Sequence, residues 1–183
     1  MKVLGIAGSL RSGSLNRELL RRALASAPEG VEVETWDGLR DVPPFDQDIE
    51  DLEPEAVASL RESVAAADAV LIVTPEYNGS IPGVLKNAID WASRPDVLTG
   101  CFRNKPVAVI SASDGMFGAM WAGAELKKVM GLVGARVVDA ELALPKAHLQ
   151  LAEPDSELDE TLRDVVERLV AEVQPAAAAR VAA

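Results

Sequence analysis

The sequence predicts an α/β fold, a doubly wound five-stranded parallel sheet of order 2-1-3-4-5 with helices on both faces. Three observations carry that prediction. Short apolar runs alternate with segments of helical period along the 183 residues. The run 69–73, Ala-Val-Leu-Ile-Val, is apolar throughout, as a parallel strand covered on both faces must be. Three of the strands are followed by small, polar, glycine-containing turns, which is how ligand loops beyond the carboxyl ends of such strands read.

The elements follow in order. Residues 3–7 form the first buried strand, and a helix runs over 15–27 with Leu15, Leu19, Leu20, Ala23, Leu24 and Ala27 on one side, stopped by Pro28-Glu29-Gly30. Residues 31–36 alternate like a strand with one exposed face, which places them at a sheet edge. The stretch 37–52, with Pro43, Pro44 and no apolar period, reads as a surface loop. Pro54 opens a second helix that turns Val57, Leu60, Val64 and Ala67 inward and ends at Asp68. The strand 69–73 and the helix 84–92 come next, the latter burying Leu85, Ala88, Ile89 and Ala92 and ending before Pro95. Residues 107–110 are strand four, and helix four carries Trp121, Ala124, Glu125, Leu126, Met130 and Val133 up to Gly134. Residues 136–140 are strand five. Residues 142–154 are irregular and hold His148, a surface or interface residue. Ser156 with Asp159 resembles a capping box for a last helix that buries Leu162, Val165, Val166, Leu169 and Val173. One domain over 1–174 is expected, followed by an alanine-rich, disordered tail at 175–183.

Composition excludes several function classes. A formal net charge of −11 leaves no basic face for nucleic acid or an anionic membrane. A single cysteine, Cys101, closes no intrachain disulfide, and one thiol with one histidine is too little for a soft metal site. Cys101 therefore reads as a buried or indifferent thiol. The apolar run after Lys2 is too short for a signal sequence and no window reaches the length of a membrane span, so a cytoplasmic protein is expected.

The turn Gly8-Ser9-Leu10-Arg11-Ser12-Gly13-Ser14-Leu15-Asn16 lies between a strand and a helix N-terminus. Unpaired N–H groups and the positive end of the helix dipole meet there, which suits a phosphate. Ser9, Ser12, Ser14 and Asn16 add neutral hydrogen bonds, and Arg11 adds a charged planar fork. Helix capping alone explains one hydroxyl and the glycines, not the cluster. The loop matches neither G-x-x-x-x-G-K-S/T nor G-x-G-x-x-G, which leaves a monophosphate ester such as the tail of FMN as its natural ligand.

The turn after strand three, Thr74-Pro75-Glu76-Tyr77-Asn78-Gly79-Ser80-Ile81-Pro82-Gly83, is rigid at its prolines and permissive at Gly79 and Gly83, so its amides could approach a flat ring; an ordinary βα turn reads equally well. Ser111-Ala112-Ser113-Asp114-Gly115-Met116-Phe117-Gly118 is the third turn at the same edge.

The segments 8–16 and 75–91, the latter Pro-Glu-Tyr-Asn-Gly-Ser-Ile-Pro-Gly-Val-Leu-Lys-Asn-Ala-Ile-Asp-Trp, resemble the two hallmark segments of the NAD(P)H-dependent FMN reductases, a family that includes quinone, chromate and azo-dye reductases. The resemblance implies a flavodoxin-like fold, FMN as cofactor and NADPH or NADH as co-substrate. It implies that Ser9, Arg11, Ser14, Leu15 and Asn16 hold the FMN phosphate, that Pro75, Glu76, Tyr77, Asn78 and Gly79 line the isoalloxazine, and that Ser111, Ser113 and Gly115 belong to the loop closing the ribityl side. It further implies ping-pong turnover, with hydride passing to flavin N5 and then to a quinone, free flavin, azo dye or chromate, and no side-chain acid or base. A homodimer or dimer of dimers is expected, roofing the flavin site, with Trp91, Met116, Phe117, Met120 and Trp121 near that edge. Two departures bear on the acceptor pocket and on the choice of nicotinamide cofactor: Gly118-Ala119 stands where the family often has adjacent glycines, and Asp114-Gly115 replaces a more neutral turn. The alternatives are a flavodoxin-type FMN electron carrier, against which Arg11 and the 75–91 segment count, and a non-flavin module holding another phosphate ester.

Overall fold

The computed structural model describes residues 1–94, 98–152 and 156–173. Five parallel strands, β1 (Lys2–Ala7), β2 (Glu32–Trp36), β3 (Ala69–Thr74), β4 (Pro106–Ala112) and β5 (Arg136–Leu144), pair in the order β2-β1-β3-β4-β5. The predicted sheet is the observed one. Between them run α1 (Leu15–Ala25), α2 (Glu55–Ala66), α3 (Gly83–Ala92) and α4 (Met120–Leu132), and after β5 come a single turn, α5 (Ala147–Gln150), and α6 (Ser156–Ala171).

Alternation along the strands splits the core in two. Leu4, Ile6, Val70, Ile72, Val107 and Val109 face α2, α3 and α4, while Val3, Ala69, Leu71, Val73, Ala108 and Ile110 face α1 and α6. All of β3 and β4 is buried. At roughly 25 cal/mol per Å² of apolar surface removed from water, these two aliphatic layers are the main favourable term of the fold. Few aromatic rings are needed because each helix contributes a leucine-rich stripe at helical spacing, such as Leu158, Leu162, Val165, Val166 and Leu169 of α6.

The structure corrects several element boundaries. The first helix closes two residues early, because the Ser26 hydroxyl donates to the Ala23 carbonyl at 2.7 Å and turns the chain. In the edge strand β2 the valine face is the open one: Val33 is 42% exposed while Trp36 is buried. β5 continues to Leu144 through a bulge that sets Val107 opposite Val137 but Val109 opposite Glu141, so the charged Glu141, paired with Lys127 at 2.8 Å, does not end it. α6 starts at Ser156, and Asp159 accepts from Arg22 Nε at 2.5 Å on α1; the capping box itself rests on the Ser156 side chain, which lies outside what is described. The expected alanine-rich tail, 175–183, lies outside the described residues.

The largest difference concerns 37–52, which is not a plain surface loop. It contains two 3₁₀ turns, Gly38–Arg40 and Gln47–Leu52, and buries Leu39 and Val42 against α2 and α3. Trp91, expected at the dimer edge, is the anchor of this segment and is fully buried in the monomer. Its indole Nε1 donates to the Pro43 carbonyl at 2.9 Å, Asn87 Nδ2 donates to the same carbonyl at 2.8 Å, and Phe45 stands edge-on to Trp91 with ring centroids 5.1 Å apart. Two prolines hide this packing from a periodicity argument, since the buried side chains follow turns and not a helix or strand.

Trp91→Ala removes the indole and its hydrogen bond together. We expect it to cost about 3–5 kcal/mol in chemical denaturation, and to make 37–52 the first site of limited proteolysis. Unchanged stability would show that the segment is held by other contacts.

Candidate functional site

The sheet order reverses between β1 and β3, and the chain leaves β1 toward β2 on one side while β3 lies on the other. A crevice opens beyond the carboxyl ends at such a point. Here it is a cleft of about 180 Å³ lined by Ser9, Arg11, Ser14, Leu15, Asn16, Pro75, Glu76, Tyr77, Ala112, Ser113 and Asp114.

The first wall is the β1–α1 turn. Gly8 donates its N–H to Val73 O at 2.8 Å, and a Cβ at position 8 would lie 2.9 Å from Leu85 Cδ2 and 3.4 Å from Pro75 Cδ. Glycine is what lets the first and second loops meet. Ser14 is the N-cap of α1, its Oγ accepting from Arg17 N at 3.3 Å and its carbonyl from Glu18 N. The N–H groups of Leu15 and Asn16 have no carbonyl one turn earlier to bond, and both residues line the cleft. Capping and cleft-lining are thus the same residue's work at Ser14. The Asn16 side chain is buried, its Nδ2 donating to Ala112 O at 3.3 Å while its Oδ1 is a buried acceptor without a partner among the described residues. Arg11 is exposed and its fork donates to Gly13 O, Nε at 3.2 Å and Nη2 at 2.7 Å, with no carboxylate taking it.

The second wall is the β3–α3 turn. Tyr77 and Ser80 exchange backbone hydrogen bonds at 2.9 and 3.2 Å around Asn78 and Gly79, which have φ of 55° and 77°. This is a tight two-residue turn of the kind Asn-Gly favours, a signal present in the sequence and not used by the reading above. Glu76 turns the other way: its Oε2 accepts from Ala122 N at 3.2 Å in the first turn of α4. The α4 N-cap, Ala119, offers no side-chain oxygen, so Glu76 takes the place of a cap from another loop.

The third wall starts later than expected, because Ser111 and Ala112 still belong to β4. Ser111 is buried behind the cleft, donating its Oγ to Gly118 O at 2.9 Å. Gly118 at φ 59° presses on β5, where a Cβ would meet the Ala143 carbonyl carbon at 2.6 Å. Ala119 follows at φ 63°, an alanine in the left-handed region.

Of the residues singled out in the sequence, the cleft therefore brings together Ser9, Arg11, Ser14, Leu15, Asn16, Pro75, Glu76, Tyr77 and Ser113. Asn78 and Gly79 stand at the exposed tip of the turn, while Ser111 and Gly115 are not part of the lining. Ala112 and Asp114 line it and were not chosen. Cys101 lies away from the cleft, donating to Ala92 O, and burial pushes its thiol up to about 11. Among the described residues no group of three or more His, Cys, Asp or Glu side chains could hold a metal, and no helix is long and apolar enough to cross a membrane.

Residues 1–149 match the model of the NADPH-dependent FMN reductase family. The chain belongs to that family. It is 39% identical over 176 residues to an NAD(P)H-dependent FMN reductase of Pseudomonas aeruginosa, covering 95% of this chain and 94% of that one. A quinone reductase of Escherichia coli is 40% identical over 143 residues, or 76% of this chain and 74% of the other. Among solved structures, FerB, a flavoenzyme NAD(P)H:(acceptor) oxidoreductase from Paracoccus denitrificans, superposes with a TM-score of 0.85 at 34% identity, covering 94% of this chain and 96% of that chain. The switch-point cleft of this FMN reductase chain presents helix-end amides, hydroxyls, one guanidinium and an unpartnered buried acceptor, a donor set that suits a phosphate ester bearing hydroxyl groups.

Glu76→Ala would leave the α4 N-terminus without its carboxylate. The expected loss is about 0.5–2 kcal/mol of stability by denaturant titration, with Glu76→Gln retaining part of it. Equal stability of all three proteins would mean that Glu76 is not an α4 cap in solution.

Proposed function

We propose that the protein is an FMN-dependent NAD(P)H oxidoreductase that reduces quinones, free flavin or related acceptors by a ping-pong mechanism. The observation that carries it is the meeting, in a chain of this family, of the α1 N-terminus and the Asn16 acceptor in one cleft with the Pro75–Tyr77 wall. FMN, when bound, supplies the two-electron chemistry, taking hydride from the nicotinamide and passing reducing equivalents to the acceptor.

The protein's part is binding and orientation. The amides of Leu15 and Asn16, the hydroxyls of Ser9 and Ser14 and the Arg11 guanidinium hold the phosphate. Asn16 Oδ1, a buried acceptor without a partner among the described residues, would take a hydroxyl donor of the bound group. Pro75, Glu76 and Tyr77 present a rigid wall to the ring, with Asn78 and Gly79 at its tip, and Ser113 bounds the opposite side, backed by Ser111 at the β4 end and followed by Gly115 in the turn. No side chain of the cleft is needed as an acid or base.

The purified protein should be yellow, release FMN on denaturation and bleach with NAD(P)H under anaerobic conditions; a colourless protein that takes up no added FMN would end this reading, and bleaching without multiple turnover of a quinone would favour an electron carrier. A charge-assisted contact contributes about 1.5–3 kcal/mol and about 1.4 kcal/mol is tenfold in affinity, so Arg11→Ala should weaken FMN binding by roughly ten- to a hundredfold or slightly more while leaving riboflavin binding almost unchanged. If riboflavin weakens equally, Arg11 serves only to fold the turn through Gly13 O.

We also propose a homodimer that roofs the cleft. Met116 is 73% and Trp121 50% exposed, Phe117 and Met120 on the same stretch of loop and helix are exposed as well, and Phe117 packs edge-on to Trp121 at 5.0 Å. An apolar cluster of this kind on an otherwise acidic surface suits a protein partner. Light scattering at micromolar concentration should give the dimer mass, and Trp121→Glu should shift it to the monomer. A monomeric wild type with full activity would reject the proposal.

A further inference from the structure

Two carboxylates line the cleft among the described residues, Glu76 and Asp114. Glu76 is spent on the α4 amide. Asp114 is not: it stands at the rim with more than half of its side chain exposed, held there by the chain's sole histidine. His148 Nδ1 lies 2.8 Å from Asp114 Oδ1, and the His148 backbone N–H donates to the same oxygen at 3.3 Å. The loop carrying Asp114 is fixed along its length, since Ser113 N donates to Leu144 O at 3.2 Å, Ala147 N to Ser113 O at 3.0 Å and Lys146 N to Gly115 O at 3.0 Å. A negative charge is thereby kept at one place on the cleft mouth.

The remaining charged groups around it can be named. Arg11 comes from the β1–α1 turn, Glu76 from the β3–α3 turn and Lys146 from the turn before α5, while the first turn of α4 brings none.

Resting on the reductase reading above, we propose that Asp114 is a specificity-determining residue of the acceptor site that disfavours anionic acceptors, and that His148 is the positioning residue that holds its carboxylate at the cleft mouth. An anionic acceptor entering the mouth meets the carboxylate in a solvent-screened setting, where one unit charge some ~5–8 Å away changes an equilibrium or rate constant by about three- to tenfold. A neutral quinone meets no such barrier. The bland role of Asp114, capping the short α5 through the His148 N–H, is kept by an asparagine, whose amide oxygen accepts as well. Asp114→Asn thus separates charge from cap.

The test uses the FMN-loaded protein with NAD(P)H, a neutral benzoquinone and the corresponding benzoquinone sulfonate, whose charge is fixed. Asp114→Asn should raise the anionic-to-neutral ratio of kcat/KM by about three- to tenfold. At fixed pH, His148→Gln, which keeps the carboxylate but removes the imidazole that holds it, should move the same ratio toward that of Asp114→Asn. Independently of turnover, calorimetry with a non-reducible aryl sulfonate on the oxidised protein should show tighter binding to Asp114→Asn by a similar factor. An unchanged ratio in Asp114→Asn, or a ratio in His148→Gln equal to that of the wild type, overturns the proposal while leaving the reductase reading intact. A wild type that does not turn over the neutral quinone overturns both.

Discussion

The site depends on one close approach, that of the β1–α1 turn to the β3–α3 turn across position 8. With only a hydrogen there, Pro75 of the second loop and Leu85 of α3 lie against the first loop, and the Gly8 N–H extends the β1–β3 ladder one step past the sheet. A side chain at this position would wedge the two walls of the cleft apart. The same contact links the site to the core, because Leu85 is a buried residue of α3 and β3 is buried along its whole length. Local glycine chemistry, sheet pairing and helix packing all converge on the geometry of one seam.

Two of the helix N-termini at that edge, those of α1 and α4, are used differently by the protein. The end of α1 is only partly satisfied from within: Ser14 caps Arg17 N and leaves the amides of Leu15 and Asn16 for a ligand. The end of α4 is closed by Glu76, a carboxylate delivered from the second loop. Electrostatically these are opposite settings, one positive and open, the other neutralised in advance. An anion entering the cleft is therefore drawn to the first turn and not to the third, which gives the cleft a polarity along its length.

The sheet and its order were legible in the sequence because burial on both faces leaves little room for polar residues in β3 and β4, and because each helix carries its stripe at regular spacing. What escaped was structure whose buried residues follow no period. Leu39, Val42 and Phe45 pack around Trp91 from turns, so the segment read as a surface loop and the tryptophan as an edge residue. At the site, the hydroxyl and arginine cluster of the first loop was readable, since those residue types are costly to place together without a reason. The orientation of Glu76 was not, because nothing local says that its partner is an amide 46 positions away. Ser111 was misplaced for a related cause: small polar residues at the end of a buried strand look like a loop until their hydrogen bonds, here to Gly118, are known. The Asp114–His148 pair joins two turns far apart in the chain, a relation that only the register of β4 and β5 creates.

The tight turn from Tyr77 to Ser80 has a consequence for how the molecule would recognise anything. Its two reciprocal backbone bonds and its pair of left-handed residues leave the rim with almost no conformational choice once the protein has folded. Ordering a flexible loop around a guest is a recurrent entropic loss in association. Here that loss falls at folding, a single time, instead of at every arrival of a guest. The rim acts as a preset stencil, selecting among shapes by exclusion and not by moulding itself to them.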